Sequence, residues 1–286
     1  MFPLKDNIPS LRFPVITVAL IVLNLAVFVW QLTLSGDPGS TEGKLAGVAS
    51  VSERDAAAIQ LGAIPYRITH PARECDLVGQ PSTGASGIFC QGTPEAEQAG
   101  ADPGIVAKVI DAVPWWLTVI TSMFLHAGVL HFAGNMLFLW VFGNSVEGSM
   151  GRGRFLAFYL LSGAVAVYAQ AAFNVDATGP TIGASGAVAG VLGAYALLYP
   201  RARILTFVLV IFFFTFVEIP AMILLGVWFL LQFLPAVGQL ATPDVAGQGG
   251  IAYLAHVGGF VFGLVAIKLF ANRVTEVEPE ARYPVY

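Results

Sequence analysis

The stretch TIGASGAVAGVLGAYALLY, Thr181–Tyr199, is apolar over most of its length and is long enough to cross a bilayer as one helix. Near its start it carries Ser185, which has glycine and alanine on both sides. One interpretation is packing, because small residues allow transmembrane helices to approach closely and serine serves as well as glycine. The other is a nucleophile that surrounding groups activate. Alone, the stretch favours packing, so the rest of the chain is needed to decide.

The composition is that of an integral membrane protein. Of the 286 residues, 56% are hydrophobic and 11% are charged, whereas a soluble domain carries about 25% charged residues. The net charge of −4 gives no basic surface for nucleic acid, so no nucleic-acid partner is expected. The first apolar run, Pro14–Leu34, is too long for the core of a cleavable signal and is predicted to be a retained span.

The apolar runs predict six transmembrane helices. They are Pro14–Leu34, Leu117–Phe142, Phe155–Phe173, Thr181–Tyr199, a crossing that begins near Pro220 within Ile204–Phe233, and Ile251–Phe270. Ile204–Phe233 is long for one crossing and short for two. Lys and Arg concentrate in short cytoplasmic loops, and the basic segments of this chain share one side only if Ile204–Phe233 crosses once. Ile204–Val217 is therefore expected to lie along the cytoplasmic leaflet.

This topology divides the chain into five segments. They are a cytoplasmic N-terminus (1–13), the first transmembrane helix (14–34), an extracytoplasmic loop (35–114), a core of five transmembrane helices (115–270) and a cytoplasmic tail (271–286). The loop is polar and is predicted to be largely irregular, apart from a short helix at Ser52–Leu61. It contains Cys75 and Cys90, which are expected to form a disulfide outside the cytoplasm. Two thiols and the distant His70 predict no metal site.

Polar side chains within predicted spans are functional candidates, because they are costly in a membrane. His131 and Asn135 are four residues apart and project from one face of the second span. Ser185 and His256 are predicted at a similar depth in the fourth and sixth spans, about 7 Å below the outer ends at the helical rise of 1.5 Å per residue. All four side chains are expected to meet in one cavity that opens to the outside.

Glycines give the fourth and sixth spans faces that another backbone can approach. On the fourth span this face is formed by Gly186, Ala189, Gly190 and Gly193, and Gly183 also stands near Ser185. On the sixth span, Gly259 and Gly263 share a face with His256. Close packing of these two faces would bring His256 toward Ser185.

The predicted chemistry is that of a serine nucleophile with a histidine base. A hydroxyl is a weak nucleophile until a neighbouring base takes its proton, and His256 can do so near neutral pH. The Asn135 amide, a His131 N–H and the Ser185 backbone N–H are candidates to bind the oxyanion. No buried acid is placed to orient His256, so a dyad is expected. Taken singly, each of these side chains also fits an ordinary packing role. Zinc binding is the competing chemistry, but zinc needs three or four ligands, and only two histidines within the spans are expected to converge.

The motifs and their order resemble the rhomboid family of intramembrane serine proteases, most strongly over Pro114–Phe270. They are TSMFLHAGVLHFAGN at Thr121–Asn135, GNSVEGSMGRGRF at Gly143–Phe155, PTIGASGA at Pro180–Ala187 and AHVGGFVFG at Ala255–Gly263. The N-terminal MFPLKDNIPSLRFP is similar to prokaryotic members. The resemblance implies Ser185 as nucleophile, His256 as base, and His131 with Asn135 in the oxyanion hole. It also implies that Gly259 and Gly263 pack on the serine helix and that Glu147 has a structural role.

The chain departs from the family pattern at two places. Some members carry an aromatic residue that stacks on the base four positions after the serine, where this chain has Ala189. The Trp-Arg pair often found in the first loop is not reproduced, and Trp115-Trp116-Leu117 stands near its place.

The resemblance implies an all-α, six-helix membrane protein that cleaves transmembrane protein substrates without a cofactor. It is expected in a prokaryotic plasma membrane, in contact with lipid, with both termini cytoplasmic and the site open to the extracytoplasmic side. One alternative is a non-catalytic rhomboid-like protein that binds and escorts membrane proteins, although such relatives lack the serine or the histidine. Another is a transporter or channel, which would predict more buried charge and internal repeats.

Overall fold

The computed structural model describes residues 2–9, 12–36, 52–80, 85–94, 96–97, 106–108, 113–210, 213–241 and 251–271. These residues are mainly helical, as predicted, but they also form two small three-stranded sheets that an all-α prediction does not include. The composition of Leu234–Gly250, which is polar and rich in glycine, predicts a loop, but the chain is helical as far as Ala241. Residues 242–250, and the predicted tail apart from Ala271, lie outside the described residues.

The helices and strands follow one another from the N-terminus. They are β1 (Phe2–Asp6), α1 (Val15–Thr33), α2 (Glu53–Leu61), α3 (Pro65–Thr69), β2 (Cys75–Gln80), β3 (Ala85–Cys90), β4 (Val106–Lys108), α4 (Trp115–Thr121), α5 (Val129–Met150), α6 (Arg152–Phe173), α7 (Ser185–Leu198), β5 (Arg203–Val210), β6 (Phe213–Pro220), α8 (Ala221–Ala241) and α9 (Tyr253–Phe270). Five helices, α1, α5, α6, α8 and α9, are long and apolar enough to cross a membrane. The apolar helix α7 is shorter, with 14 residues.

The second apolar run, Leu117–Phe142, is not one continuous helix. Two histidines interrupt it, which predicts an outer end of the span as late as His126, and the long helix begins three residues after that position. A 3₁₀ turn at Ser122–Phe124 follows α4, and α5 then begins at Val129 and continues to Met150. It thus includes most of the polar stretch Gly143–Arg154, whose composition predicts a turn. The helix tolerates the buried Glu147 because the carboxylate accepts hydrogen bonds from the Ile16 and Thr17 N–H groups and from the Thr17 hydroxyl. These bonds also satisfy N–H groups at the start of α1, which have no acceptor within that helix.

The fourth predicted span also begins later than expected. Thr181 pairs with Ala63 in an isolated antiparallel bridge, and Gly183 has a φ of 127°, which disfavours any side chain. The helix begins only at Ser185, so this serine does not lie about 7 Å along a helix that starts at Thr181, as was predicted.

The short helix α7 lies at the centre of the bundle, where it packs against α9, α6 and α5. Residues from Gly186 to Ala196 are buried along it. Its contact with α9 is so close that a Cβ on Gly263 would collide with the Gly190 carbonyl, and a Cβ on Gly259 with the Gly186 carbonyl. Gly186 itself faces Ala166 of α6. The two glycine faces therefore bring the backbones of α7 and α9 together.

After the C-terminal end of α7, the described residues of Ile204–Val217, which are 204–210 and 213–217, form most of two antiparallel strands, here called the hairpin. Strands β5 and β6 pair from Arg203 opposite Pro220 to Val210 opposite Phe213, and β1 pairs with β5. The run is rich in β-branched and aromatic residues, which favour strands. Helix α8 begins directly after the hairpin, next to the expected start of the crossing near Pro220.

Asp6 joins this sheet to the bundle. Its carboxylate accepts hydrogen bonds from the Ser145 hydroxyl at 2.6 Å and the Tyr195 hydroxyl at 2.9 Å. Burial raises the pKa of Asp6 above its ordinary value, although these two hydrogen bonds lower it. Because the folded state binds this proton more tightly than the unfolded state, the contribution of Asp6 to stability falls as the pH rises through the raised pKa.

At the opposite end of α7 lie the described residues 52–80, 85–94, 96–97 and 106–108, here called the insertion. The predicted short helix is confirmed as α2, which Ser52 caps in a capping box with Asp55. The prediction that the remainder is largely irregular is wrong for its described residues, because β2 pairs with β3 and β4. Cys75 lies opposite Cys90 in this sheet, and a disulfide bond joins them. Both are buried against Ile64 and Tyr66, so the insertion has a small core of its own.

Candidate active site

The structure brings together the two side chains predicted as nucleophile and base. Ser185 Oγ lies 2.7 Å from His256 Nε2. Ser185 is the first residue of α7 and His256 lies in the first turn of α9, so both stand at the same end of two helices that touch through glycine. This distance allows the hydroxyl to donate its proton to the imidazole.

His131 approaches the serine from α5. The Ala127 N–H is 3.4 Å from His131 Nδ1, which makes Nδ1 the acceptor and leaves the proton on Nε2. The Nε2 edge lies against Gly183, where an added Cβ would be 2.8 Å from Nε2 and 3.5 Å from Ser185 Oγ. The absence of a side chain at Gly183 therefore keeps the space between His131 and Ser185 open.

Asn135 follows His131 by one helical turn. The residue is 8% exposed, and among the described residues its amide nitrogen has no hydrogen-bond acceptor. A buried donor without an acceptor is unfavourable, and such groups in native proteins call for an explanation. Asn135 lines the same cavity as Ser185, so an oxygen atom of a ligand there would complete its hydrogen bonding.

A cavity of about 700 Å³ joins these groups. Ser185, His131, Asn135 and His256 all line it, and Pro65 of the insertion contributes to its wall. The Ser185 N–H belongs to the first residue of α7 and so has no acceptor within the helix. The Gly183 N–H donates to the Ser122 carbonyl at 2.8 Å, which fixes the segment before the serine. The cavity thus holds a hydroxyl, a base and several N–H donors.

His256 has a second partner that the sequence analysis missed. Its Nδ1 lies 2.8 Å from Oε1 of Gln232, on α8. The Trp228 ring lies beside the imidazole, with 6.2 Å between ring centroids. Gln232 was not predicted because a single glutamine in an apolar run belongs to no motif. The one indication in the sequence was indirect: no acid is placed to orient His256, so another group must do so.

Other predicted residues lie outside this cluster. Glu147 binds the start of α1, and the disulfide of Cys75 and Cys90 lies in the insertion. His126, which was not predicted as a site residue, is buried against Phe28 and Phe132, and its ring centroid lies 5.2 Å from that of His131. Within the part of the chain that the structure describes, it does not line the cavity. Across the same described ranges, no group of three or more His, Cys, Asp or Glu residues is placed to hold a metal ion.

The chain is similar in sequence to one family model and to several known proteins. A rhomboid domain model matches residues 114–273. The mitochondrial rhomboid protein 1 of Saccharomyces cerevisiae is 32% identical over 159 residues, which are 54% of this chain and 42% of that protein. The mitochondrial presenilin-associated rhomboid-like protein A of Danio rerio is 30% identical over 154 residues, 52% of this chain and 36% of that protein.

A bacterial relative matches a shorter region more closely. The rhomboid protease GluP of Bacillus subtilis is 45% identical over 85 residues, which are 30% of this chain and 16% of that protein. The chain therefore spans less than half the length of each of these three relatives.

Proposed function

Because the chain belongs to the rhomboid family, we propose that it is an intramembrane serine endopeptidase that hydrolyses peptide bonds in or near the transmembrane segments of membrane proteins. The observation that carries this proposal is the 2.7 Å contact between Ser185 Oγ and His256 Nε2. A relative whose name states protease activity, GluP of Bacillus subtilis, supports the same reaction class.

In the proposed reaction, His256 Nε2 takes the Ser185 proton while Oγ attacks the carbonyl carbon of the scissile bond. The Asn135 amide, His131 Nε2–H and Ser185 N–H donate hydrogen bonds to the oxyanion that forms. When the tetrahedral intermediate collapses, the C–N bond breaks and the departing amine receives the proton from His256. Water then attacks the acyl-enzyme with the same base, which releases the acid and restores the serine.

We further propose six transmembrane helices, with α7 as the sixth. Its 14 residues span about 21 Å, less than the hydrocarbon core of about 30 Å. Because α7 is surrounded by other helices, its N-terminus can lie below the membrane surface at the end of a water-filled cavity. The insertion lies at this end and β1 at the other, which supports an extracytoplasmic insertion and a cytoplasmic N-terminus.

We also propose that the protein resides in a prokaryotic plasma membrane. Two of the three relatives named above are mitochondrial, and the third is bacterial. The resemblance of the N-terminal motif to prokaryotic members is what supports a prokaryotic plasma membrane.

The proposed activity is tested by incubating detergent-solubilised protein with a single-span membrane protein. Ser185→Ala and His256→Ala should each lower cleavage by about 10³-fold or more, and by similar factors, because neither half of a dyad works alone. Cleavage that persists undiminished in Ser185→Ala would disprove the proposal. Binding of the single-span protein without cleavage by the wild type would instead favour the non-catalytic escort function.

A further inference from the structure

The imidazole of His256 is held from α8 rather than from the serine helix. Its Nδ1 lies 2.8 Å from Gln232 Oε1. The Gln232 amide nitrogen donates to the Trp228 carbonyl one turn earlier, at 3.4 Å, and this contact directs the amide oxygen toward the imidazole. The residue four positions after the serine, Ala189, is fully buried and offers no ring to stack on His256.

The Gln232 contact decides which nitrogen of His256 carries the proton. An amide oxygen only accepts hydrogen bonds, so the proton must lie on Nδ1, and the lone pair of Nε2 then faces the Ser185 hydroxyl. In the other tautomer Nε2 would carry a proton and could not act as the base. The hydrogen bond to Gln232 also strengthens once the imidazole is protonated, because the donor then carries charge.

The two buried carboxylates among the described residues do not take this role. Glu147 is bound to the start of α1, and Asp6 is bound to Ser145 and Tyr195 at the far end of α7. Gln232 is therefore the acceptor that the described structure provides for His256 Nδ1.

Helix α8 places a second side chain against the same ring. The Trp228 ring centroid lies 6.2 Å from that of His256 and 6.0 Å from that of Phe260, so the indole fills the space beside the imidazole. In the most apolar 18-residue stretch of α8, 17% of the residues are buried, the lowest share among the five long apolar helices. The Nδ1-protonated tautomer of His256 therefore requires that α8, which has few buried residues, stays packed against α9.

We propose that Gln232 is the positioning residue of the base: it fixes the Nδ1-protonated tautomer of His256 and the orientation of its ring toward Ser185. This inference rests on the proposed function, in which Ser185 and His256 react together. Gln232 lies behind the imidazole and acts on the substrate only through it.

The experiment measures the rate at which a fluorophosphonate probe labels Ser185, together with kcat and KM for a single-span substrate. Gln232→Met keeps the length of the side chain and removes the acceptor. It should lower the labelling rate and kcat at least about tenfold, with KM and the unfolding midpoint nearly unchanged. The matched control is Gln239→Met, which alters the same residue type two turns later on α8 and should label at the wild-type rate.

Gln232→Glu provides the rescue. It restores an acceptor, so labelling should be faster than in Gln232→Met. Its carboxylate also stabilises the protonated imidazole, so the acidic limb of the pH–rate profile should move to higher pH. The other titratable side chains near His256, His131 from α5 and Tyr253 from α9, are the same in every variant.

The outcomes separate this inference from the proposed function. Wild-type labelling with an equal rate in Gln232→Met would overturn the role of Gln232 and leave the protease assignment standing. Failure of the wild type to label at Ser185 would overturn both. A loss in Gln232→Met that Gln232→Glu does not restore, accompanied by a lower unfolding midpoint, would assign Gln232 a structural role and overturn the inference.

Discussion

The buried side-chain amide of Asn135 is a hydrogen-bond donor that lacks an acceptor in the described structure. Its nitrogen has no acceptor among the described residues, although it lines the cavity beside Ser185. Leaving a buried donor unpaired costs about 1–3 kcal/mol. In the proposed mechanism, the acceptor is the oxyanion, which exists only when the reaction proceeds. The donor is therefore ready before the charge forms and needs no reorganisation.

Asn135→Ala is expected to lower kcat about 10²- to 10³-fold, the range for one oxyanion donor. The unfolding midpoint should stay level or rise, because the substitution removes an unsatisfied buried group. The measurements are cleavage of a single-span substrate and thermal unfolding in detergent. Asn174→Ala is the matched control, since Asn174 is also 8% exposed with an unpaired amide nitrogen among the described residues, but does not line this cavity. Equal losses of activity in both variants would contradict the role of Asn135.

The sequence identifies four residues of this cluster because each is a polar side chain in an otherwise apolar span. Gln232 also lies in an apolar run, but its meaning depends on a contact with His256, which is 24 positions away in the chain. Spacing within one helix reveals pairs such as His131 and Asn135, whereas a pair on two helices depends on how they pack. The sequence shows that no acid is placed beside His256, but it does not show that Gln232 takes the place of an acid.

At the scale of the helices, the contact between α7 and α9 sets the distance between serine and histidine. The contact is made by backbone against backbone: a Cβ on Gly263 would meet the Gly190 carbonyl, and one on Gly193 the Phe260 carbonyl. Carbonyl groups inside a helix cannot move aside as a flexible side chain can. A methyl group in this interface must therefore separate the helices or tilt one against the other.

Gly263→Ala should reduce the free energy of unfolding by about 1–3 kcal/mol and should also reduce cleavage, because His256 moves with α9. Gly226→Ala is the control, since an added Cβ at that position in α8 meets no atom within 4 Å. It should leave activity unchanged and stabilise the helix by up to about 1 kcal/mol, the difference in helix propensity. Thermal unfolding and the cleavage assay check both variants. Similar behaviour of the two would show that the glycine contact does not hold the site together.

The glycine spacing correctly indicates which faces of the two helices meet, but helix ends are harder to predict. Hydropathy extends the fourth span back to Thr181, although Gly183 and the bridge at Thr181 keep those residues out of the helix. The hairpin of β5 and β6 was missed for a related reason. A continuous apolar run has the same hydropathy whether it forms a strand or a helix, so periodicity alone does not separate them.

At the scale of the whole molecule, the insertion is fastened to the segment that leads into Ser185. Ala63 and Thr181 exchange two backbone hydrogen bonds, of 3.0 Å and 2.8 Å. The Thr121 hydroxyl donates to the Leu61 carbonyl at 2.6 Å, which ties the end of α2 to α4. Between these contacts, a Cβ added to Gly62 would collide with the Ala58 carbonyl of α2 on one side. On the other side it would be 2.8 Å from Pro180 Cβ and 2.9 Å from Ile182 Cγ2. The insertion thus supports the backbone on which the serine and the opening at Gly183 depend.

Gly62→Ala should therefore disturb the site from outside the bundle. The added methyl group is caught between the Ala58 carbonyl and the side chains of Pro180 and Ile182, so the end of α2 must shift relative to the serine segment. The hydrogen bonds of Thr181 and Gly183 should then open more often. Hydrogen exchange at these two amides should accelerate, and cleavage should fall at least about tenfold, because small displacements of reacting groups are costly. Exchange within α7 and α9 should not change, since their glycine contact is intact. In Gly148→Ala, where an added Cβ meets no atom within 4 Å, exchange and activity should match the wild type. If exchange and cleavage in Gly62→Ala also match the wild type, the serine segment holds its position without support from the insertion. The role of the insertion must then be sought in contacts on its outer surface.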